Sequence, residues 1–287
     1  MLVINPTFTD NFNANFGANA AAAQAAWKAA AQVFIHNFSD NIHINITVDA
    51  VAGTSVFGQS NSSLISISYA DLRARMLADA QTQNDRIALG AGGSMTVADP
   101  TNGTGTWWLA RSQAKALGVI PDDSSEDGIT TFGAGNPFTF SGAIAAGTYD
   151  FQGIAAHEMS EVMGRLGLSG GTVGTTANSF TLIDNFSYTA PGTKGLRGGP
   201  GNLFSVDNGT TLLKLWNDPT ANGLDSRDWA PGTNDAFNQF SDSGVVNPVS
   251  AVDLQLIDVI GYDLVVPLAV AAATINRATG VVHPRKK

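Results

Sequence analysis

The chain has 287 residues, a formal net charge of −9 and no cysteine, and only 14% of its residues are charged. The negative charge argues against nucleic acids and anionic membrane surfaces as partners. The absence of cysteine excludes disulfides, cysteine metal sites and cysteine nucleophiles. The length suits one large domain or two small ones.

The first half of the chain alternates predicted helices and strands. Residues 19–37 are rich in alanine and predict a helix, and residues 42–48 alternate apolar and polar side chains as a half-buried strand does. A second helix is predicted for residues 69–80. Two short strands joined by a Gly-Asn turn are predicted for residues 128–133 and 137–140.

The second half is predicted to contain a central helix, a long irregular stretch and a final helix. The central helix begins near Tyr149 and ends at Gly164 or Gly167. Glycine-rich sequence without periodicity follows to about residue 247. Ser250 has an acid three residues later, which predicts the N-cap of a final helix that stops at Gly261.

Composition also bears on location. The N-terminus lacks a basic start followed by a long apolar core, and the apolar run at residues 264–275 contains Pro267 and is too short to span a bilayer. Low charge and abundant glycine, asparagine and threonine resemble bacterial exported proteins. We therefore expect a secreted, extracellular protein, with no membrane span and a monomeric state.

The central helix carries His157, Glu158 and Glu161. Positions 157 and 161 lie one turn apart on the same face, so an imidazole nitrogen and a carboxylate oxygen can reach one ion. In the pattern His-Glu-x-x-His, two histidines hold zinc and the glutamate activates water. Here Glu161 stands in place of the second histidine. The flanking residues are largely apolar, which predicts burial, and buried acids need partners or a metal.

The order of elements and the His157 segment resemble the metzincin-type zinc metallopeptidases, specifically their leishmanolysin-like branch. The matching residues are His157, Glu158, Gly164 and Trp229. In that branch a third histidine, followed by a tryptophan, arrives after a long insertion, and Asp228 stands at that position here. The methionine turn of the family would fall at residues 245–248, which contain no methionine.

The resemblance implies an α+β, metzincin-like fold. Such a fold has a mixed twisted sheet and the active-site helix in an N-terminal lobe, assigned to residues 1–166. A mostly irregular C-terminal lobe, residues 167–266, delivers the third ligand, and residues 267–287 form a tail. The residues at the N-terminus, 1–18, are also candidates to lie across the cleft.

The resemblance also implies a site and an activity. His157, Glu161 and Asp228 would hold one zinc ion, and Glu158 would act as the general base in the hydrolysis of a peptide or protein substrate. Two carboxylates make the centre less positive than three histidines do, so we expect slower hydrolysis or a more alkaline optimum. An oxygen-rich set also admits manganese or calcium.

Several further residues are candidates for roles at the site or in the fold. Asp184 is a competing third ligand or a loop cap, and Tyr262 is a candidate to stabilise the oxyanion by analogy with a tyrosine of some metzincins. Arg165 is expected to orient a nearby carboxylate or to form an ordinary salt bridge. His36 and His43 are interpreted as structural.

Other functions remain open from the sequence. The pattern around His157 occurs by chance on helices, where its acids are solvated. The changed ligands also fit a non-catalytic descendant that binds a metal structurally. The pair Trp107-Trp108, if exposed, would suit an adhesive or carbohydrate-binding domain. The acidic segment 122–127 would be a calcium site or, preferably, a solvated turn, since its spacing is not that of a regular calcium loop.

Overall fold

A computed structural model describes residues 1–222 and 225–265 of the chain, and the predicted tail lies outside these residues. The fold is α+β, with several mixed sheets and helices around them. The strands are β1 Val3–Phe8, β2 His43–Val51, β3 Gly58–Ser62, β4 Leu64–Ile67, β5 Thr106–Ala110, β6 Gly128–Gly133, β7 Phe138–Thr139, β8 Tyr149–Asp150, β9 Gly171–Val173, β10 Thr176–Thr181, β11 Ser187–Ala190, β12 Thr193–Lys194, β13 Leu203–Phe204 and β14 Lys214–Leu215. The α-helices are α1 Asp10–Phe16, α2 Ala20–Asn37, α3 Tyr69–Asp79, α4 Gln83–Leu89, α5 Arg111–Ala116, α6 Phe151–Val162, α7 Pro219–Asn222 and α8 Ala251–Val259.

The sheet that supports the central helix has the order β1-β2-β6-β3. Strands β1, β2 and β6 run parallel, and β3 runs antiparallel to β6 at the edge of the sheet. Residues 43–51 alternate between buried and less buried positions, as their apolar and polar pattern predicts. Helices α2 and α6 pack against each other, and the indole of Trp27 on α2 donates to Thr130 Oγ1 on β6 at 3.3 Å. The mixed sheet expected for the N-terminal part is therefore confirmed.

Helix α6 has well-defined ends. Asp150 is its N-cap, because one carboxylate oxygen accepts the backbone N–H of Gln152 at 3.1 Å. Phe151, the first helical residue, is fully buried among phenylalanine rings. Gly164 follows the C-cap with φ +104°, a conformation that favours glycine, and so ends the helix at the earlier of the two predicted positions.

The segment between residues 167 and 247 is more regular than predicted. It contains β9 to β14, which form antiparallel pairs among themselves and add β10 in parallel to β5. These strands have two to six residues, too few to give a recognisable alternation of apolar and polar positions. Most residues of the segment nevertheless lie outside these strands, as the prediction of a mostly irregular C-terminal lobe expects.

The N-terminal residues do not lie across a cleft. Residues 3–8 form β1, which pairs with β2 along its whole length. Thr9 then caps α1 by accepting the backbone N–H of Phe12 at 3.0 Å. This part of the chain is held by the ladder hydrogen bonds of the sheet, so the expectation that it covers the site is wrong.

The final helix α8 begins as predicted. Ser250 and Asp253 form a reciprocal capping box, in which Ser250 accepts the Asp253 N–H and Asp253 accepts the Ser250 N–H. Within residues 1–222 and 225–265, every helix is too short or too polar to cross a bilayer.

Candidate metal centre

One pocket of about 340 Å³ lies where strand β3, helix α6 and the segment 225–247 meet. Helix α6 contributes His157, Glu158 and Glu161 to it, and the later segment contributes Asp228. The four residues singled out from the sequence therefore face one cavity, although 67 positions separate Glu161 from Asp228 along the chain.

The imidazole of His157 has a defined orientation. Its Nδ1 lies 2.9 Å from the carbonyl oxygen of Ala236, which can only accept a hydrogen bond, so Nδ1 carries a proton. Its Nε2 faces Glu161 Oε1 at 3.4 Å and Asp228 Oδ1 at 3.5 Å. This arrangement, with one ring nitrogen fixed by a carbonyl group and the other directed at further ligand atoms, is typical of metal-binding histidines.

The donor set fits one divalent ion. Ligand atoms of His157, Glu161 and Asp228 all lie within 4.8 Å of one another. In tetrahedral zinc sites with bonds of about 2.1 Å, neighbouring ligand atoms lie about 3.4 Å apart. The two separations from Nε2 are close to this value. Among residues 1–222 and 225–265, no other set of histidines and acids is gathered this closely.

Arg165 lies behind the donor set and is almost completely buried. Its guanidinium contacts Asp228 Oδ1 at 2.5 Å and Glu161 Oε1 at 3.4 Å, so the ion pair expected for this residue is present. Its Nε donates to Ser160 Oγ at 2.7 Å, and its central carbon lies 4.6 Å from the ring centre of Phe237. The guanidinium thus holds both carboxylates in place and offsets part of their charge.

Further contacts hold Glu161 directly and the backbone at Asp228 indirectly. Ser60 on β3 donates its hydroxyl to Glu161 Oε2 at 2.6 Å. Asp228 is held through Trp229, whose indole N–H donates to Asp253 Oδ1 at 2.6 Å and whose ring stacks on Trp216 at 4.2 Å. The tryptophan that follows Asp228 is therefore an anchor in the core.

Glu158 is buried beside strand β3. A Cβ atom at Gly58 would lie 2.4 Å from Glu158 Oε1, so the side chain of Glu158 occupies the space that glycine leaves. Burial and the neighbouring charge of Glu161 raise the pKa of Glu158 well above its usual value. A carboxyl group with a raised pKa is suited to accept and return a proton near neutral pH.

The carboxylates of Glu161 and Asp228 favour positive charge at Nε2 of His157. Burial and Arg165 act to lower the pKa of His157, but the carboxylates of Asp228 and Glu161 outweigh them and raise it to about 9. Burial acts to raise the pKa of Glu161, and His157 and Arg165 lower it on balance. Positive charge is thus favoured at the point where the three donors converge.

Comparison with families of known proteins, with curated proteins and with solved structures finds no match to this chain. Any functional conclusion therefore depends on the geometry of the chain itself.

Two residues considered for the site lie elsewhere. Asp184 is fully buried, pairs with Arg227 at 2.8 Å and caps the 3₁₀-helix Leu182–Phe186, as the loop-cap interpretation expects. Tyr262 is buried against Phe38 and does not line the pocket, so its expected role at the oxyanion is wrong.

The structure bears on two other sequence interpretations. Trp107 is buried, with 1% of its surface exposed, and Trp108 is partly exposed, so the pair does not form the exposed aromatic surface that an adhesive domain would need. Asp127 is fully buried and forms an ion pair with Lys115 at 2.7 Å, and Asp123 pairs with Arg111 at 2.5 Å. Residues 122–126 are nevertheless exposed, so the segment is the solvated turn that was preferred, and its acids also form ion pairs.

The loop at residues 245–248 contacts the start of α6. The backbone N–H of Asn247 donates to Asp150 Oδ2 at 2.9 Å, and a Cβ at Gly153 would lie 2.7 Å from the Asn247 carbonyl oxygen. Sequence reasoning missed Gly58, Ser60 and the Ala236 carbonyl group. Residues 58–62 carry no apolar alternation, and a backbone carbonyl leaves no signal in the sequence.

Proposed function

We propose that this protein is a metal-dependent hydrolase that cleaves peptide bonds, in which His157, Glu161 and Asp228 hold one divalent ion. The observation that carries the proposal is the convergence of these three donors within 4.8 Å in a pocket that also contains Glu158. Zinc is the first choice, because one imidazole and two carboxylates lie within its ligand range, and manganese is the alternative. Low charge and polar composition support a secreted protein.

A bound divalent ion would supply Lewis acidity, polarising a carbonyl group and lowering the pKa of water. The residues of the chain supply the rest. Glu158 accepts a proton from the attacking water on a carboxylate oxygen and returns it to the nitrogen of the leaving amine. His157 stays in one tautomer because its Nδ1–H donates to Ala236. Arg165 and Ser60 keep the carboxylates from turning away as charge develops.

A peptide suits the pocket because an unpaired strand edge borders it. Strand β3 pairs with β6 on one side, and within the described residues its other edge has no strand partner. Gly58, Gln59 and Ser60 of this strand line the pocket. An extended peptide could add to this edge through backbone hydrogen bonds, which would hold its carbonyl groups beside the donor set.

The resemblance to metzincin peptidases agrees with this proposal. A mixed sheet precedes the helix that carries His157 and Glu158, and a later segment brings Asp228 and Trp229 to it. The departures at Glu161 and Asp228 exchange imidazole nitrogen for carboxylate oxygen and keep the ability to bind a metal.

Replacing Glu158 with Gln tests the proposal. We expect the variant to bind zinc as the unchanged protein does but to lose hydrolysis of a quenched-fluorescence peptide library by at least about 100-fold, since general bases contribute at this scale. Asn61→Ala is a matched control, because Asn61 is an exposed residue of β3 that does not line the pocket. Undiminished hydrolysis in Glu158→Gln would contradict the mechanism.

A second candidate is a non-catalytic protein in which the same residues bind a metal or merely form an ion-pair network. The contact of Arg165 with both carboxylates favours it, because a buried cation already balances part of their charge. Stoichiometric metal without cleavage of any library peptide would support this candidate. A protein purified without chelators and free of metal would support the ion-pair network.

A further inference from the structure

The pocket is lined by carboxylates and by no lysine or arginine among the described residues. Besides Glu158, Glu161 and Asp228, its acids are Asp225 and Asp235. Asp235 has its own cation, since Lys214 donates to its carboxylate, and it also accepts the backbone N–H of Phe237. Most of these acids therefore have a partner within the protein or a role at the metal.

Asp225 is different. It is an exposed residue in the lining of the pocket, and in the described part of the chain no hydrogen bond or ion pair engages its carboxylate. Partial burial, followed by the charges of Glu161 and Asp228, raises its pKa to about 6, so it is mostly ionised at neutral pH. Asp225 lines the same pocket as Glu161 and Asp228.

Aromatic rings accompany this carboxylate in the lining of the pocket. Phe57 has 37% of its surface exposed and Phe240 has 50%, and both line the cavity. Large exposed apolar side chains beside an unpaired acid suit an amphipathic cation. The aliphatic stem of such a side chain covers the apolar surface, and its charged end reaches the carboxylate or lies over a ring.

We propose that the pocket selects substrates with an arginine or lysine side chain close to the scissile bond, and that Asp225 receives the cation. The inference rests on the proposed hydrolase function and adds the substrate class to it. The net charge of −9 acts in the same direction, because it attracts basic peptides to the protein. The preference should weaken as salt screens the charges.

Matched peptides test the inference. A quenched-fluorescence peptide that the zinc-loaded protein cleaves is synthesised with arginine, lysine, norleucine or glutamate at each position near the cut. We expect at least one position at which arginine or lysine raises kcat/KM about tenfold over norleucine, as a charge-assisted contact implies. Asp225→Asn should remove most of this difference in kcat/KM. Asp225→Lys should make the glutamate peptide the preferred substrate.

Asp242→Asn is the matched control, because Asp242 is an exposed acid of the same region that does not line the pocket, and the change in net charge is the same. It should keep the preference. Binding of the same peptides to the inactive Glu158→Gln variant, followed by fluorescence anisotropy, gives a readout that is independent of cleavage. Two results would overturn the inference while the hydrolase proposal stands. One is an equal kcat/KM for basic and norleucine peptides, and the other is a preference for basic peptides that Asp225→Asn leaves unchanged. Binding of basic peptides without any cleavage would overturn the hydrolase proposal instead.

Discussion

Two buried arginine–aspartate pairs meet at consecutive residues of this protein, Arg227 and Asp228. Arg227 pairs with Asp184, and Asp228 pairs with Arg165. The two Asp184 oxygens are fully engaged: one accepts from Arg227, and the other accepts the backbone N–H groups of Thr181, Ser169 and Leu168.

Asp228 differs in what its carboxylate faces. In the described part of the chain its ion pairs involve Oδ1, which it shares between Arg165 and His157, and the residue lines the pocket. Burial and ion pairing alone therefore do not identify a functional acid. An acid whose oxygens are all taken by internal donors holds the fold together, whereas one that faces a cavity beside a histidine retains capacity for a ligand.

The largest effect is expected from Asp184→Asn. It leaves Arg227 as a buried charge without its partner, and breaking a buried pair in this way costs about 3–5 kcal/mol of unfolding free energy. Urea unfolding of the metal-free protein measures the loss. The folded fraction should bind zinc with unchanged affinity, and a loss of metal binding there would break the distinction between the two aspartates.

Gly58→Ala should act on the pocket alone. The added Cβ would lie 2.4 Å from Glu158 Oε1, so the general base must move while the three metal donors stay in place. We expect peptide hydrolysis to fall about 100-fold with zinc content unchanged, measured by initial rates and elemental analysis. An active Gly58→Ala protein would show that the position of Glu158 is not critical.

Ser60→Ala tests whether the Ser60 hydroxyl orients the Glu161 carboxylate for metal binding. Removal of the hydroxyl that donates to Glu161 Oε2 frees one side of the carboxylate, and loss of such an orienting partner costs about tenfold in metal affinity. Competition with a fluorescent zinc chelator measures the change. Ser62→Ala is the control, since this hydroxyl lies on the same strand and has no hydrogen-bond partner in the described structure. Equal affinities in the two variants would argue against a role for Ser60.

A third set of acids, Asp40, Asp79 and Asp263, should give the smallest effect. Burial, followed by the charges of Asp263 and Asp40, raises the pKa of Asp79 to about 8, well above its value in an unfolded chain. The folded state therefore holds a proton that the unfolded state releases. The protonated Asp79 side chain therefore makes its full contribution to the free energy of unfolding below about pH 4. This contribution is lost as the pH rises through about 8.

Asp79→Asn removes the titrating group. The gain in stability over the unchanged protein should grow between pH 4 and pH 9 to the order of 1 kcal/mol, after allowance for the partial exposure of the side chain. Thermal unfolding across this range provides the measurement, with Asp242→Asn as an exposed control. A gain that does not change with pH would contradict the assignment.

Sequence patterns predicted the longer helices and a few strands, but they missed β1, β3, β4 and the short strands after α6, and they predicted the contacts between elements poorly. Helix α2, strand β2 and the caps of α6 and α8 follow from alanine content, alternation, Asp150 and Ser250, which act within a few residues. The pocket face of α6 follows from the spacing of His157 and Glu161. Strand β3 could not be predicted, because its polar residues adopt a strand only by pairing with β6.

The third donor shows the same limit. Asp184 and Asp228 are both candidate third donors from the sequence, and only the path of the chain decides which one reaches His157. The same is true of the Ala236 carbonyl group that orients the imidazole, and of the side on which Tyr262 packs. Such long-range choices depend on the packing of many elements together.

Metal content of the unchanged protein and of Asp228→Asn is the most direct test of the central claim. Both proteins are purified without chelators, loaded with zinc, dialysed and analysed for metal. We expect about one zinc ion per unchanged chain and a large loss in Asp228→Asn, because one of three donors is then a neutral amide. An unchanged chain that binds no ion, or an Asp228→Asn variant that binds as much as the unchanged chain, would contradict the central claim.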